Sequence, residues 1–405
     1  TATSPSSPRT PAQISPHPKP SPPPPTMPPP PPALPDELIE EVFLRLPPDE
    51  PACLVRASLA SKLWFGLLIG PIFCSRYREF HGTPPMLGFF YSHGLYYSSS
   101  VEEEPDPLFV STTKFGACIP DHDHDEDWCY SLHDAWDCRH GRVVIGDRDA
   151  LPAKLVVLDP MTGDWRELAA PEDYDSYGAA VLCNVTGCDH LGCHKEPFQV
   201  VVVGMDIGDS VAHVYVSLQG PGELYRPISQ WSKPCPGLHI GSDALIQPMP
   251  PVLIQDTLYF MLLYDDDDCI GILKYDLCSQ CLSLIDAPFA ETDIDTITIL
   301  MGMKDGSLGF AHLDGLNLNL WSRQMGSDGV GSWTECRVID LNEFLPIQNP
   351  EKGLRLMGSS EGRDIIFVST DLGIYEINLK SLEWKKIWNR RNFHALIPYM
   401  SFYRP

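Results

Sequence analysis

Three segments of this chain superpose without gaps, and each has the pattern of a short β-hairpin. Each contains an apolar strand, then Asp or Asn, then Thr or Ser three residues later, and a large apolar residue six residues later. The Asp/Asn and Ser/Thr side chains favour a tight turn because they hydrogen-bond to nearby backbone groups. The pattern therefore predicts a hairpin in each segment. The three segments are 155–165, 272–282 and 374–384.

The large apolar residues that close these hairpins recur at a nearly constant interval. Two weaker copies end at Trp231 and Trp333, between the strong copies that end at Trp165, Leu282 and Trp384. The interval from 165 to 231 is 66 residues, and the intervals from 231 to 282, 282 to 333 and 333 to 384 are each 51 residues. One four-stranded propeller blade takes roughly 40–50 residues. The repeat therefore predicts a β-propeller.

The all-β region is predicted to cover residues 84–405, where short β-rich runs alternate with Gly, Asp, Asn and Pro. Five repeat units span about 131–388. Three further strand-like pieces, at 87–91, 108–112 and 394–403, are predicted to share a closing blade. This count favours six blades, with five and seven as the alternatives. A blade built from both ends of the chain would close the ring and protect its strand edges.

Residues 34–80 have a helical pattern instead. We expect three short helices. The first runs from Pro35 to the Pro47-Pro48 pair, the second is capped by Asp49, and the third covers about 58–69. The apolar residues of the first helix recur every three or four positions on one stripe. So small a helical unit forms a poor core by itself, which indicates a docking module.

This helical stretch resembles an F-box. The residues that carry the resemblance are Leu34-Pro35, Leu38-Ile39, Leu44-Arg45-Leu46-Pro47, Ser61-Lys62, Trp64 and Pro71-Ile72-Phe73. Phe65 stands where the family usually has an arginine after the tryptophan. The residues after 84 are similar, more loosely, to the F-box-associated propeller-like domains of plant F-box proteins.

The resemblance implies a partner and a function. An F-box packs on a Skp1-like adaptor, which connects it to cullin-1 in an SCF-type ubiquitin ligase. The chain would then be a non-catalytic adaptor whose propeller recruits a protein substrate for ubiquitination. A Skp1-binding scaffold outside a ligase, and an enzyme or small-molecule sensor that uses the propeller channel, remain alternatives. The residues expected to contact the adaptor are Leu34, Pro35, Leu38, Ile39, Val42, Leu46, Leu54, Val55, Leu59 and Trp64.

Composition narrows the possible partners. The formal charge of −25 and pI of about 4.7 repel phosphate backbones, so we expect no nucleic-acid partner. We also expect no membrane partner, because no apolar run reaches the roughly 18 residues of a membrane-spanning helix.

No signal-peptide core is recognised, which favours the cytoplasm or nucleus as the location of the protein. In these reducing compartments the 13 cysteines would form no disulfides. No catalytic or cofactor-binding motif is found, and no cofactor is expected.

The 66-residue interval is 15 residues longer than the others, and the excess coincides with a segment rich in cysteine and histidine. Its candidate metal ligands are Cys188, His190, Cys193 and His194. Their spacing does not match a known zinc finger, so we interpret the segment as a long hairpin loop with buried thiols, and a metal site remains the alternative. Such an insertion is also a candidate for contacting a partner.

Three other segments suggest chemistry less strongly. Cys278-x-x-Cys281 has redox spacing but falls in a predicted hairpin turn, where a thiolate is not stabilised by a helix. The acidic runs at 122–127 and 265–268 lack the spacing of a calcium loop and are interpreted as solvated loops. Residues 1–33 contain fifteen prolines and are predicted to form a disordered tail.

Overall fold

The computed structural model describes most of the chain from residue 34 onward. The proline-rich tail, both acidic runs and His194 lie outside the described residues. These are 34–93, 107–120, 133–147, 154–172, 174–185, 188, 190, 193, 197–206, 210–217, 230–241, 244–264, 269–291, 298–326, 330–389 and 393–402.

Four helices open the described part of the chain, where three were predicted. They are α1 (Asp36–Leu44), α2 (Pro51–Ala60), α3 (Lys62–Leu68) and α4 (Pro71–His81). The prediction of three helices is therefore wrong in number. None of the described helices is both long and apolar enough to cross a membrane.

The reasons for this difference lie in the helix ends. The predicted third helix is interrupted at Ser61, whose backbone is extended and whose hydroxyl accepts a 3.2 Å hydrogen bond from the Leu63 N–H as a cap for α3. Pro71 does not end a helix, because it occupies the first turn of α4. Glu50, and not Asp49, precedes α2, and it makes no side-chain cap.

The strands that follow form six antiparallel sheets. Strands β1 (Met86–Ser92) and β2 (Val110–Ser111) come first. Blade 1 contains β3 (His133–Arg139), β4 (Arg142–Asp147), β5 (Lys154–Leu158) and β6 (Trp165–Ala169). Blade 2 contains β7 (Ser176–Cys183), β8 (Phe198–Asp206), β9 (Val211–Ser217), β10 (Trp231–Ser232) and β11 (Leu238–His239).

The remaining blades have the same order. Blade 3 contains β12 (Ala244–Ile246), β13 (Val252–Ile254), β14 (Thr257–Tyr264), β15 (Cys269–Asp276) and β16 (Cys281–Glu291). Blade 4 contains β17 (Thr298–Gly302), β18 (Leu308–Asp314), β19 (Asn317–Met325) and β20 (Gly331–Asp340). Blade 5 contains β21 (Arg355–Ser360), β22 (Ile365–Thr370), β23 (Gly373–Asn378) and β24 (Trp384–Trp388). Two 3-10 turns, Leu341–Glu343 and Pro350–Lys352, connect blades 4 and 5.

The sixth sheet joins the two ends of the described chain. The last strand, β25 (Ala395–Met400), pairs with β1, and β1 pairs with β2. The innermost strands contact one another around the ring, including β21 with β25 and β25 with β3. The predicted six-bladed β-propeller with a shared closing blade is thus confirmed.

The repeated hairpins are also confirmed, and each lies between the third and fourth strands of a blade. The Asp276 carboxylate accepts hydrogen bonds from the Ser279 N–H at 2.7 Å and the Ser279 hydroxyl at 2.8 Å. In blade 5, Asn378 accepts from the Ser381 N–H at 3.0 Å. Trp333 closes the weaker repeat of blade 4, and its indole N–H donates to the Asp286 carbonyl of blade 3 at 2.8 Å. Some repeat tryptophans therefore connect neighbouring blades.

The core is divided among the interfaces between blades. In the described residues, each of the six interfaces contains one apolar cluster, because successive side chains of a strand point to opposite faces of its sheet. For example, Val143 and Ile145 face the closing blade, whereas Val144 between them faces blade 2. A seventh cluster holds the helices together and includes Phe402, which follows β25.

Candidate functional site

The first candidate site is an apolar surface on the helices. Leu34, Leu38 and Val42 follow one another at four-residue spacing and are all exposed, while Ile39 and Phe43 of the same helix face the helical core. Helix α1 therefore has apolar side chains on two faces, and among the described residues only one of these faces is buried. An exposed apolar face of this kind is a candidate interaction surface.

The exposed apolar surface continues beyond α1. Nine of the fifteen exposed large apolar side chains among the described residues lie within the four-helix segment, so this surface is concentrated there. They are Leu34, Leu38, Val42, Leu59, Leu63, Phe65, Ile69, Ile72 and Phe80.

The structure divides the residues predicted to contact the adaptor into three groups. Pro35 is exposed, as are the four apolar side chains Leu34, Leu38, Val42 and Leu59. Ile39, Leu46, Val55 and Trp64 are half-buried, and the Trp64 ring packs edge-on against Phe43 at 5.3 Å between centroids. Leu54 is only 3% exposed and belongs to the core of the helices. Sequence spacing did not separate the core side chains of α2 from its surface side chains.

Charged side chains connect α1 to α4. Arg76 of α4 pairs with Glu40 at 2.5 Å and with Glu41 at 3.1 Å. The hydrogen bond from Arg45 holds the pKa of Glu41 below its usual range. Because these pairs are largely solvent-exposed, we assign the packing of α1 on α4 mainly to apolar burial.

Phe402, which follows strand β25, attaches the helices to the propeller. Phe402 packs against Tyr77 of α4 with ring centroids 6.1 Å apart, and the Tyr77 hydroxyl donates to the Leu46 carbonyl at 2.7 Å. Burial raises the pKa of Tyr77 above its usual range. Arg363 of the β21–β22 turn donates to the carbonyl of Pro84, which follows α4. The helices are therefore held on the propeller face where the β21–β22 turn lies.

The second candidate site is the central channel, which opens beside these helices. A cavity of about 380 Å³ is lined by side chains from all six blades and by the segment after α4. Its charged groups are Asp137 and Arg139 of β3 and Glu361 and Arg363 of the β21–β22 turn, and the first three of these contact one another. Asp137 and Arg139 are buried, and Glu361 is partly exposed.

These three residues form a hydrogen-bonded network. Arg139 donates to Glu361 Oε2 through Nε at 3.1 Å and also donates to Asp137. The other oxygen of Asp137 accepts from the Val181 N–H of β7 at 2.8 Å, and Glu361 accepts from the Leu253 N–H of β13 at 2.8 Å. The network thus links blades 1, 2, 3 and 5. Burial raises the pKa of Asp137 to about 6, although Arg139 opposes that shift.

The third candidate site is the cysteine- and histidine-rich insertion, which connects β7 to β8 as the repeat interval indicated. Cys183 ends β7, Cys188 and His190 lie in the connection, and Cys193 is buried. Their ligand atoms, three Sγ and one imidazole nitrogen, all lie within 4.8 Å of one another.

This set differs from the predicted one. Cys183 takes part, although sequence spacing did not single it out, and His194 lies outside the described residues. The position of Cys183 at the start of the inserted segment was the available signal. Burial and the neighbouring Cys183 raise the pKa of Cys193 to about 12. Burial and the nearby His190 lower the pKa of His140 to about 3.

The Cys278-x-x-Cys281 pair lies in the turn between β15 and β16, as predicted, and both thiols are exposed. All eleven cysteines whose side chains the structure describes carry free thiols. This pair therefore offers a comparison for the cysteine cluster in blade 2.

Comparison with known proteins adds no family. No protein-family model matches the chain, and no curated protein matches it. Solved structures match parts of its backbone at low sequence identity. The WD40 domain of SCAP from fission yeast matches with 13% identity and a TM-score of 0.32, and the match covers 63% of this chain and 54%, about half, of that chain.

Two further solved structures give similar values. The Nidogen/Laminin complex matches with 10% identity and a TM-score of 0.35, covering 77% of this chain and 96% of that chain. TolB from Acinetobacter baumannii matches with 9% identity and a TM-score of 0.38, covering 80% of this chain and 69% of that chain. We draw no functional argument from similarities at these values.

Proposed function

We propose that this chain is the substrate-recognition adaptor of an SCF-type ubiquitin ligase. In this proposal the helices dock on a Skp1-like protein, which connects them to cullin-1, and the propeller recruits a protein substrate. The chain itself performs no bond chemistry. The observation that carries the proposal is the exposed apolar stripe of Leu34, Leu38 and Val42 within the segment that resembles an F-box.

The exposed apolar surface of the helices has a free-energy cost in water. Burial of apolar area against a partner contributes roughly 25 cal/mol per Å². The exposed side chains of α1, α2 and α3 lie in the same short segment as Phe43 and Leu54, which already form its internal core. The exposed set is therefore available to a partner without unfolding the helices. The F-box resemblance names that partner as the apolar helices of a Skp1-like adaptor.

The propeller would act by holding a substrate near the ligase. Tethering converts the encounter between a substrate lysine and a charged conjugating enzyme into a nearly intramolecular event, which raises the effective concentration. The packing of Phe402 on Tyr77 supports this role, because it restricts how far the propeller can move relative to the docked helices. We propose the cytoplasm or nucleus as its location, with neither nucleic acid nor membrane as a direct partner.

The test compares two substitutions at equally exposed apolar positions. The full chain is co-expressed with a Skp1-like adaptor and analysed by size-exclusion chromatography. Leu38 is 51% exposed on α1, so Leu38→Arg places a charge in the proposed interface. We expect this variant to bind the adaptor more weakly by about 2 kcal/mol or more, which is roughly 30-fold. Val338→Arg is the control, because Val338 is 54% exposed on β20 of blade 4.

A stoichiometric complex that Leu38→Arg removes and Val338→Arg retains supports the adaptor function. Equal binding by both variants contradicts the interface, and a stable monomer that ignores the adaptor contradicts the function. Capture of cullin-1 by the complex separates a ligase adaptor from a scaffold.

The second candidate function is a small-molecule sensor, which the channel cavity and its buried Arg139 favour. Thermal stabilisation of the chain by an added ligand would test this function.

A further inference from the structure

The β7–β8 connection of blade 2 brings three thiols and one imidazole to a single point. Cys183 lies at the end of β7, and Cys188, His190 and Cys193 follow in the insertion. The four ligand atoms all lie within 4.8 Å of one another, and Cys193 Sγ is 3.8 Å from His190 Nδ1. The chain folds back on itself at the base of this connection, where the Asn184 N–H donates to the Pro197 carbonyl at 2.9 Å.

We propose that Cys183, Cys188, His190 and Cys193 bind one structural zinc ion. Three thiolates and one imidazole are a common ligand set of closed, four-coordinate zinc sites. Bonds of about 2.3 Å to sulfur and 2.0–2.1 Å to nitrogen place tetrahedral ligand atoms roughly 3.4–3.8 Å apart. The spacing between Cys193 and His190 already agrees with this geometry, so the remaining ligands need only a small contraction.

A cluster of reduced thiols without metal explains the arrangement less well. Thiols are weak hydrogen-bond partners, and the 3.8 Å between Cys193 Sγ and His190 Nδ1 is long even for a hydrogen bond that involves sulfur. A disulfide would join two of the cysteines and leave the third thiol and the imidazole unused. One tetrahedrally coordinated cation would bind all four groups.

Arg142, beside the cluster, supplies the positive charge that would balance an anionic zinc site. Three thiolates and a neutral imidazole around Zn²⁺ carry a net charge of −1. Arg142 of β4 is buried beside the cluster and donates to the Cys193 carbonyl at 3.2 Å. Its guanidinium also lies over the Phe198 ring, 4.8 Å from the centroid, which fixes its position. A buried cation next to an anionic metal centre compensates part of the cost of burying that centre.

The site would shape one wall of the channel. His190 and Cys193 line the channel cavity together with Arg139 and His140, and the rings of His140 and His190 are 4.6 Å apart. Because four-fold protein ligation leaves no open position, we assign the ion a structural role: it fixes the insertion beside the channel mouth. This inference goes beyond the adaptor function and does not depend on it.

The test measures metal in the full chain with no adaptor present. The protein is purified under reducing conditions without chelator, and its zinc is quantified by elemental mass spectrometry. One zinc per chain is expected. The variants Cys188→Ser and His190→Ala are expected to lose it. The matched control is Cys278→Ser with Cys281→Ser, which removes two exposed thiols from the β15–β16 turn of blade 3 and should leave the zinc content unchanged.

Cobalt substitution decides the outcome if the variants fail to fold. Co²⁺ added to metal-free wild-type protein should show the thiolate charge-transfer absorption and strong visible bands of a tetrahedral, thiolate-rich site. Absence of zinc together with failure to take up Co²⁺ would overturn the proposal. So would zinc retained by Cys188→Ser and His190→Ala, or a Co²⁺ spectrum with only oxygen and nitrogen ligands.

Discussion

Arg139 and Glu361 lie 222 residues apart in sequence and form an ion pair across the propeller channel, with Arg139 Nε 3.1 Å from Glu361 Oε2. The same guanidinium also contacts Asp137 and donates to the carbonyl of Pro251. One side chain of blade 1 therefore holds groups of blades 3 and 5. We regard it as a central cross-link of the ring.

Arg139→Met should destabilise the propeller. The substitution removes the partner of Asp137, which is only 1% exposed, and an unpaired buried charge of this kind costs about 3–5 kcal/mol. Urea unfolding at neutral pH measures the loss. The control is Lys304→Met, an exposed cation in the β17–β18 turn, for which we expect a change below about 0.5 kcal/mol. Equal effects from both variants would show that the network contributes no specific stability.

The pH dependence of stability should reflect Asp137. Burial raises its pKa to about 6 in the folded chain, above the value of 3.8 for the unconstrained side chain. Between these values the folded state binds more protons than the unfolded state, so the contribution of Asp137 to stability increases as the pH falls from about 7 through 6 toward 4.

The measurement is the free energy of unfolding of the wild type and of Asp137→Asn across that pH range. The difference between the two proteins should shift in favour of the wild type as the pH is lowered, because only the wild type takes up this proton. A difference that is constant with pH, or that shifts toward the variant, would contradict the assigned pKa.

Two leucines of α2 should behave differently, although both were predicted to contact the adaptor. Leu54→Ala should lower the stability of the helices by about 2–5 kcal/mol, because it leaves a cavity beside Phe43 and Phe73. Leu59→Ala should change stability by less than about 0.5 kcal/mol, since Leu59 is 80% exposed, but should weaken adaptor binding. Hydrogen exchange of the helix amides and a binding titration check the two effects. Faster exchange in Leu59→Ala would place that side chain in the core.

The closing blade should be sensitive to added volume at Gly88 of β1. A Cβ there would lie 2.5 Å from the Val110 carbonyl of β2 and would clash with the Phe109 ring. Gly88→Ala is expected to cost about 1–3 kcal/mol in unfolding free energy. Gly116→Ala is the matched control, because a Cβ at Gly116 meets nothing within 4 Å. A stability loss in the control as large as in Gly88→Ala would refute the packing argument.

Several parts of the fold were predictable from local patterns. The Asp276 and Ser279 turn and its copies follow from side-chain hydrogen bonds within four residues, and the interval between Trp333 and Trp384 indicated the blade length. The pairing of β1 with β25 followed from the need to protect open strand edges. The fourth helix was missed because a proline can either end a helix or occupy its first turn, and Pro71 was assigned the first role but has the second.

The candidate sites were less predictable. The apolar residues of α1 were recognised from their spacing, but periodicity does not show that Leu38 faces solvent while Ile39 packs inward. Cys183 was not selected because its strand position, rather than its spacing, brings it to Cys193. The Arg139 network has no sequence signal, since its partners lie in distant blades.

The sequence by itself determined the repeated hairpins, the blade period and the apolar content of the helical segment, because turns and strand or helix periodicity arise from neighbouring residues. Only the tertiary structure decided which apolar side chains stay exposed, and that Arg139 meets Glu361 and Cys183 meets Cys193. Ring closure brings distant residues together through packing and charge pairing, and these depend on the whole chain rather than on any local segment.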